Sequence, residues 1–171
     1  QYPVIDQRLI TRLFKTIGTM PQEPQELVFV FEGEAGQGIQ TITSVLLSIL
    51  RNRGCHLFSC TEYMSRIRGG SNTTSIRITA KPRAAYAARI DALFALSPHA
   101  FARLDDRIDG QTLLFADKSI TGAADHGNCI DFPIGRLASE AGGRVYANMV
   151  VAGAALGLLG ISPEHHLNQL R

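Results

Sequence analysis

The sequence is poor in the residues that carry metals and electrons. It has three cysteines in 171 residues, Cys55, Cys60 and Cys129, and no two of them form a CxxC pair. An iron–sulfur cluster needs clustered thiolates, and a disulfide framework needs paired ones, so neither is indicated within this chain. We therefore expect no metal site here.

The chain also has no large excess of positive or negative charge and no long apolar run. The formal net charge is +2, whereas a nucleic-acid binder usually carries a strongly basic face. Any basic site must therefore be local. The longest apolar stretch, residues 149–159, is too short to span a bilayer, and no signal-peptide pattern is visible. We expect a cytoplasmic protein that contacts neither a membrane nor nucleic acid.

The length and the apolar patterning predict one main domain with a short extension. Residues 1–26 are predicted to form an N-terminal helix, over about 6–18, and a linker that contains Pro21 and Pro24. Residues 27–171 are predicted to form an α/β domain of ordinary size.

Strands and helices alternate along this domain. The continuous apolar run 27–31 predicts a strand buried on both faces, and residues 39–50 predict a helix with one apolar side. A second strand at 56–59 completes a βαβ unit, and 60–72 is predicted as a polar loop. Residues 73–79 alternate, which predicts a half-exposed strand near a sheet edge with Ser75, Arg77 and Thr79 on the polar face. Further strands are predicted at 92–96, 112–116 and 130–132, and helices from 97, over 133–141 and 145–159, and from 162 to 171. The pattern predicts a three-layer, mostly parallel Rossmann-like α/β sheet with helices on both faces.

A glycine turn follows the first predicted strand. Its spacing is Gly33-x-x-Gly36-x-Gly38, at the start of the predicted helix. Glycines allow close approach of the backbone, and the free N–H groups of a helix start attract anions. The order differs from the dinucleotide fingerprint GxGxxG, and no Lys-Ser or Lys-Thr follows to make a P-loop. A tight connection without a ligand stays open.

A second anion-friendly segment follows the second predicted strand. Residues 62–72 contain Arg66, Arg68 and the pair Gly69-Gly70. Guanidinium groups bind oxyanions bidentately, and ligands of open α/β sheets bind at the carboxyl ends of the strands. A solvated basic turn, or arginines paired with local acids, stays open. Together the two segments predict a phosphate site at one edge of the sheet.

Both segments resemble motifs of one enzyme family. Residues 33–39 resemble the GxGGQG(I/V) turn of 2-oxoacid:ferredoxin oxidoreductase gamma subunits, with Ala35 in place of a glycine. Residues 66–72 resemble the family's RGG loop, 73–78 its following strand, and 91–96 its "D-x-L-x-A-L" strand. Residues 137–150 resemble its "A-x-E-x-G…N" helix. The resemblance covers about residues 27–159.

The resemblance implies a division of labour within a complex. The family oxidatively decarboxylates a 2-oxoacid to an acyl-CoA and passes electrons to ferredoxin. Thiamine diphosphate and the iron–sulfur clusters are then held by alpha, beta and delta-type partner subunits. The gamma part has no catalytic residue, is inactive alone, and contributes to coenzyme A binding and assembly; a homodimer also stays open. The residues expected to bind coenzyme A and its phosphates are Gly33, Gly36, Gln37, Gly38, Arg66, Arg68, Gly69, Gly70 and Asn72.

Other interpretations of the two segments remain. An independent NAD-type module would need GxGxxG and an acid about 20 residues further on; Glu62 comes later than that. A nucleic-acid binder that uses the RGG-like loop has only one short basic loop in its favour. Pyruvate, 2-oxoglutarate, branched-chain and aryl 2-oxoacids all stay open, as does whether the chain is a free subunit or part of a fused polypeptide.

Overall fold

The computed structural model describes residues 26–64, 70–118 and 129–161 of the chain. The predicted helices at 6–18 and 162–171 lie outside the described residues, and so does almost all of the predicted N-terminal unit. No helix within the described ranges is long and apolar enough to cross a bilayer.

Six strands and four α-helices form the described part of the chain. They are β1 (Glu26–Glu34), α1 (Ile39–Asn52), β2 (His56–Tyr63), β3 (Ser71–Thr79), β4 (Ala92–Ala95), α2 (Ala100–Leu104), β5 (Leu113–Ala116), β6 (Cys129–Asp131), α3 (Ile134–Glu140) and α4 (Ala147–Leu158). Short 3-10 turns at Asp105–Arg107 and Arg144–Tyr146 follow α2 and precede α4.

The strands form one mixed, mostly parallel sheet in the order β2-β3-β1-β4-β5-β6. β1, β4, β5 and β6 are mutually parallel, and β3 runs antiparallel to both of its neighbours. β2 therefore has the direction of β1 but is separated from it by β3. The predicted α/β fold class is confirmed, and the βαβ unit of β1, α1 and β2 encloses an inserted antiparallel strand.

The prediction that β3 is half-exposed is wrong, because its polar residues Ser75 and Thr79 are buried. Its predicted position near a sheet edge is confirmed, since β3 lies between β1 and the edge strand β2. The strand alternates because its two faces pack against different layers. Arg77, which was expected to face solvent, forms an ion pair with Glu26 at 2.5 Å, and Arg107 donates to the hydroxyl of Ser75 at 3.4 Å. Partners from other elements thus bind much of the polar face, whereas Thr73 Oγ1 and Arg77 Nε are buried without a hydrogen-bond partner among the described residues.

The hairpin of β2 and β3 is longer than the sequence predicted. β2 continues through Tyr63 and β3 begins at Ser71, so part of the predicted loop at 60–72 is paired strand. The two strands pair from His56↔Thr79 to Tyr63↔Asn72. Thr61 and Thr74 face each other in this ladder with their hydroxyls 3.0 Å apart.

Each face of the sheet has its own core. On one face, which we call the α1 face, Phe29 and Phe31 of β1 pack with α1, α3 and α4. Phe94 stacks on Phe31 with ring centroids 5.1 Å apart and on Phe115 at 4.8 Å. The opposite face, which we call the α2 face, is covered by α2. Its apolar core includes Val28, Val30, Leu93, Leu114, Phe101 and Leu104.

Candidate functional site

The glycine turn connects the end of β1 to the start of α1. Gly36 and Gly38 have φ angles of +95° and +77°, which L side chains rarely adopt. The N–H of Gln37 donates to the carbonyl of Glu34 at 3.1 Å and closes the turn. Gly38 is the N-cap of α1, and its carbonyl accepts from the N–H of Ile42 at 3.0 Å.

The side chain of Gln37 holds this turn in place. Its Oε1 accepts from the N–H of Glu34 at 2.7 Å, and its Nε2 donates to the carbonyl of Leu96 at 3.2 Å, just after β4. A Cβ at Gly33 would lie 2.6 Å from that Oε1. The structure therefore shows Gly33 and Gln37 shaping the turn.

Two amides of the turn make no hydrogen bond to any described residue. Within the described part of the chain, the N–H groups of Gly36 and Gly38 have no acceptor. They lie at the N-terminus of a 14-residue helix with no acidic residue in its first turn. The helix dipole and the free N–H groups there favour a negatively charged ligand.

The second predicted segment starts and ends beside this turn. Arg66, Arg68 and Gly69 lie outside the described residues, but the flanks of the segment are described. The N–H of Met64 donates to the carbonyl of Ser71 at 3.2 Å, and the N–H of Ala35 donates to the carbonyl of Gly70 at 3.3 Å. Gly70, from the predicted site, is thus hydrogen-bonded to the glycine turn.

A cavity of about 290 Å³, the β3-side cavity, lies between the glycine turn and the hairpin. Gly36 and Gly38 line it from the turn, and Asn72 and Tyr63 line it from the hairpin. Gln40 of α1 donates to the hydroxyl of Tyr63 at 3.1 Å. Three residues of the predicted site, Gly36, Gly38 and Asn72, are therefore brought together around one space.

A second cavity of about 420 Å³, the β4-side cavity, lies on the other side of the turn. It is lined by Gly36, Gln37 and Gly38 and also by Arg144 and Asn148, which the predicted site did not include. The asparagine belongs to α4, and its side chain packs against Gly38 so closely that an added Cβ there would lie 2.9 Å from its Nδ2. Its only sequence signal was the final asparagine of the resemblance around residues 137–150.

A buried carboxyl near the turn was not predicted from the sequence. Glu32 of β1 is fully buried on the α2 face, where the hydroxyl of Ser97 lies 2.8 Å from Oε1 and 3.0 Å from Oε2. Burial raises the pKa of Glu32 above its ordinary value, while hydrogen bonds from Ser97 and Ser71 and the charge of Arg103 act against that rise. A glutamate within an apolar run gives no signal of such partners.

The three cysteines are free thiols, and burial raises the pKa of Cys55 and of Cys129. Across the described ranges, no group of three or more His, Cys, Asp or Glu side chains could hold a metal ion.

The comparison with protein families decides what the chain is. The sequence profile described as "Pyruvate ferredoxin/flavodoxin oxidoreductase" matches residues 28–171. The chain belongs to this family. A curated relative, 2-oxoglutarate synthase subunit KorC of Archaeoglobus fulgidus, is 27% identical over 144 residues, which are 82% of this chain and 75% of that protein. The recognition of the 2-oxoacid:ferredoxin oxidoreductase family is confirmed.

Solved structures share the fold. The gamma subunit of keto/oxoacid ferredoxin oxidoreductase from Geobacter sulfurreducens PCA superposes with a TM-score of 0.63 at 24% identity, over 81% of this chain and 80% of that one. Pyruvate oxidoreductase subunit PORC of Thermotoga maritima gives 0.65 at 17% identity, over 85% of each chain. A 2-oxoglutarate:ferredoxin oxidoreductase chain from Magnetococcus marinus gives 0.68 at 19% identity, over 77% of this chain but 24% of that longer one.

Proposed function

We propose that this gamma-type chain contributes to the binding of coenzyme A in its oxidoreductase complex and holds the phosphates of that substrate at the carboxyl edge of β1. The observation that carries the proposal is the meeting of two segments at that edge. The glycine turn offers two amides that have no acceptor among the described residues. The strands that flank the arginine segment end beside it, joined by the hydrogen bond from Ala35 to Gly70.

Each predicted residue has a role in this proposal. The N–H groups of Gly36 and Gly38, at the positive end of α1, bind one phosphate group. Arg66 and Arg68 supply the charge that a pyrophosphate and a 3′-phosphate require. The remaining residues shape the site: Gly33 and Gln37 fix the turn, Asn72 forms part of the cavity wall, and the carbonyl of Gly70 joins the hairpin to the turn. Gly69 completes the proposed arginine segment.

A related structure supports the choice of ligand. The Magnetococcus marinus enzyme is described with 2-oxoglutarate, coenzyme A and succinyl-CoA bound. One part of that longer chain has the fold of the present chain. Coenzyme A is therefore a ligand of a complex that contains this fold, which agrees with the anion-binding character of the glycine turn.

Partner chains would supply the redox chemistry. In the proposed complex, alpha and beta-type subunits hold thiamine diphosphate, and a delta-type subunit holds iron–sulfur clusters and passes electrons to ferredoxin. The three dispersed cysteines of this chain support such a division, because a [4Fe–4S] cluster needs four clustered thiolates.

Removing one arginine tests the coenzyme A site. In the assembled complex, Arg68→Ala should raise the KM for coenzyme A by roughly 10- to 100-fold, because charge-assisted hydrogen bonds of this kind contribute about 1.5–3 kcal/mol. Decarboxylation measured without coenzyme A should be unchanged. Coenzyme A-dependent ferredoxin reduction, followed with pyruvate and 2-oxoglutarate in turn, gives both quantities.

The matched control removes the same charge elsewhere. Arg51 lies in the last turn of α1, exposed and about 20 Å from Gly38 by the rise of the helix. Arg51→Ala should leave the KM for coenzyme A unchanged. An unaltered KM in Arg68→Ala, with the complex intact, would remove the basis for this site.

The NAD-type alternative is disfavoured by the sheet order. In a dinucleotide fold the acid that binds the ribose ends the strand next to the glycine turn. Here β3 lies between β1 and β2, so the end of β2 is roughly 10 Å from β1, two strand spacings away. Glu62, near that end, also forms an ion pair with Arg103. Titration of the chain with NAD and with coenzyme A separates the two functions.

A further inference from the structure

A chain of polar groups lies beneath the proposed site, on the α2 face of the sheet. It consists of Glu32 of β1, Ser97 after β4, Ser71 of β3, Glu62 of β2 and Arg103 of α2. The first three are at most 1% exposed, and the side chain of Arg103 is 15% exposed. β1, β2 and β3 each contribute one residue to this network, and Ser97 joins it just after the end of β4.

Arg103 connects two of these strands directly. One of its guanidinium nitrogens donates to the carbonyl and the hydroxyl of Ser71, at 2.9 and 3.0 Å. The other terminal nitrogen, Nη2, lies 3.6 Å from the carboxylate of Glu62. The first residue of β3 and the penultimate residue of β2 are thus held by a single side chain from below the sheet.

The residues that Arg103 holds are next to residues that line the β3-side cavity. Asn72 follows Ser71, and Tyr63 follows Glu62; the register pairs Tyr63 with Asn72. Successive residues of a strand point to opposite faces. The cavity wall therefore lies on the α1 face, and its anchor lies directly behind it on the α2 face.

The network also connects this anchor to β1. Glu32 contributes a buried carboxyl whose charge attracts Arg103, and it accepts from the hydroxyl of Ser97. Its Cα partner across the ladder is Thr73, two residues beyond Ser71. A buried guanidinium without an opposite charge is costly, so Glu32 and Glu62 together keep Arg103 in place.

We propose that Arg103 is a positioning residue for the coenzyme A site: its two guanidinium nitrogens fix the ends of β2 and β3 so that Tyr63 and Asn72 face the glycine turn at the right distance. This inference rests on the proposed function. The planar fork of an arginine reaches two acceptors in different directions, whereas a lysine ammonium is a single point charge that cannot keep both contacts in the same geometry.

The test compares two conservative variants in the assembled complex. Arg103→Lys should raise the KM for coenzyme A about tenfold, as expected for the loss of one charge-assisted hydrogen bond, and leave kcat at saturating coenzyme A unchanged. Arg107→Lys is the matched control. Arg107 lies one turn further along the same segment and contacts the carbonyls of Ala88 and Ala87 and the hydroxyl of Ser75, away from the cavity wall. The KM of the Arg107→Lys variant for coenzyme A should not change.

The Arg68→Ala variant distinguishes the two proposals. If Arg68→Ala raises the KM for coenzyme A but Arg103→Lys does not, the positioning role is overturned and the coenzyme A site stands. If neither variant raises the KM for coenzyme A, both the coenzyme A site and the positioning role are refuted. A parallel loss of kcat and of decarboxylation without coenzyme A in Arg103→Lys would indicate a general structural role and would also overturn the inference.

A second variant covers the case in which Arg103→Lys fails to assemble. Glu62→Gln keeps the size of a half-exposed side chain but removes the charge that pairs with Arg103. It should raise the KM for coenzyme A about threefold without changing kcat, in line with the modest contribution of a partly exposed ion pair. An unchanged KM in this variant would refute the positioning role.

Discussion

Gly38 is the position where the glycine turn is most constrained. It combines a φ of +77° with a close neighbour, because a Cβ there would lie 2.9 Å from Nδ2, 3.0 Å from Cβ and 3.3 Å from Cγ of Asn148. Gly36 has a similar backbone conformation, with φ of +95°, but nothing within 4 Å of an added Cβ. The pair therefore separates backbone strain from steric overlap.

The expected costs follow from these two terms. A residue with a Cβ in the left-handed region costs about 1–2 kcal/mol, so Gly36→Ala should lower the free energy of unfolding by about that amount. Gly38→Ala adds overpacking against Asn148 of about 1–3 kcal/mol, for a total of roughly 2–5 kcal/mol. In the background of Asn148→Ala, which removes two of the three contacting atoms, the cost of Gly38→Ala should fall by about 1 kcal/mol.

Chemical denaturation of the purified chain, followed by circular dichroism, measures the wild type, the three single variants and the double variant. Equal midpoints for Gly36→Ala and Gly38→Ala would refute the steric term. An unchanged cost of Gly38→Ala after Asn148→Ala would show that the two residues do not compete for the same space. Either result would contradict the close packing of α4 against the glycine turn.

Two further predictions concern stability. Phe94→Ala removes the ring at the centre of the aromatic stack and should lower the free energy of unfolding, measured by urea denaturation, by about 3–5 kcal/mol. The control is Val145→Ala, at a residue that is 77% exposed, which should change the free energy of unfolding by less than about 0.5 kcal/mol. Because burial raises the pKa of Glu32, the folded state binds its proton more tightly than the unfolded chain, and the wild type should lose stability as the pH rises from about 4.5 through the folded pKa. Glu32→Gln lacks this titration, so its stability relative to wild type should increase over that window and then level off. A pH-independent difference would contradict the effect of burial.

The elements that could be predicted from the sequence are those with a clear local pattern of apolar residues. The apolar run of β1 and the one-sided pattern of α1 gave both elements correctly, because burial on two faces and on one face leave different periodicities. β3 was wrongly predicted to be half-exposed because alternation of polar and apolar residues normally indicates solvent on one side. The partners that satisfy Arg77 and Ser75 lie 51 and 32 residues away, and no local pattern shows them.

The candidate site was partly predictable for the same reason. The glycine turn is a local feature, and the direction of the strands placed the second segment at its edge, as the hydrogen bond from Ala35 to Gly70 shows for the described flank. Asn148 and Arg103, which reach this region, each lie more than 30 residues beyond either segment. Only the packing of the helices on the sheet brings them there.

The pairing of β1 with β3 over nine residues limits how this protein can change through evolution. A single insertion or deletion between Gly70 and Ile76 would exchange the two sides of the strand, turning Asn72 toward α2 and Ser71 toward α1. Related chains should therefore keep a constant length within the first half of β3.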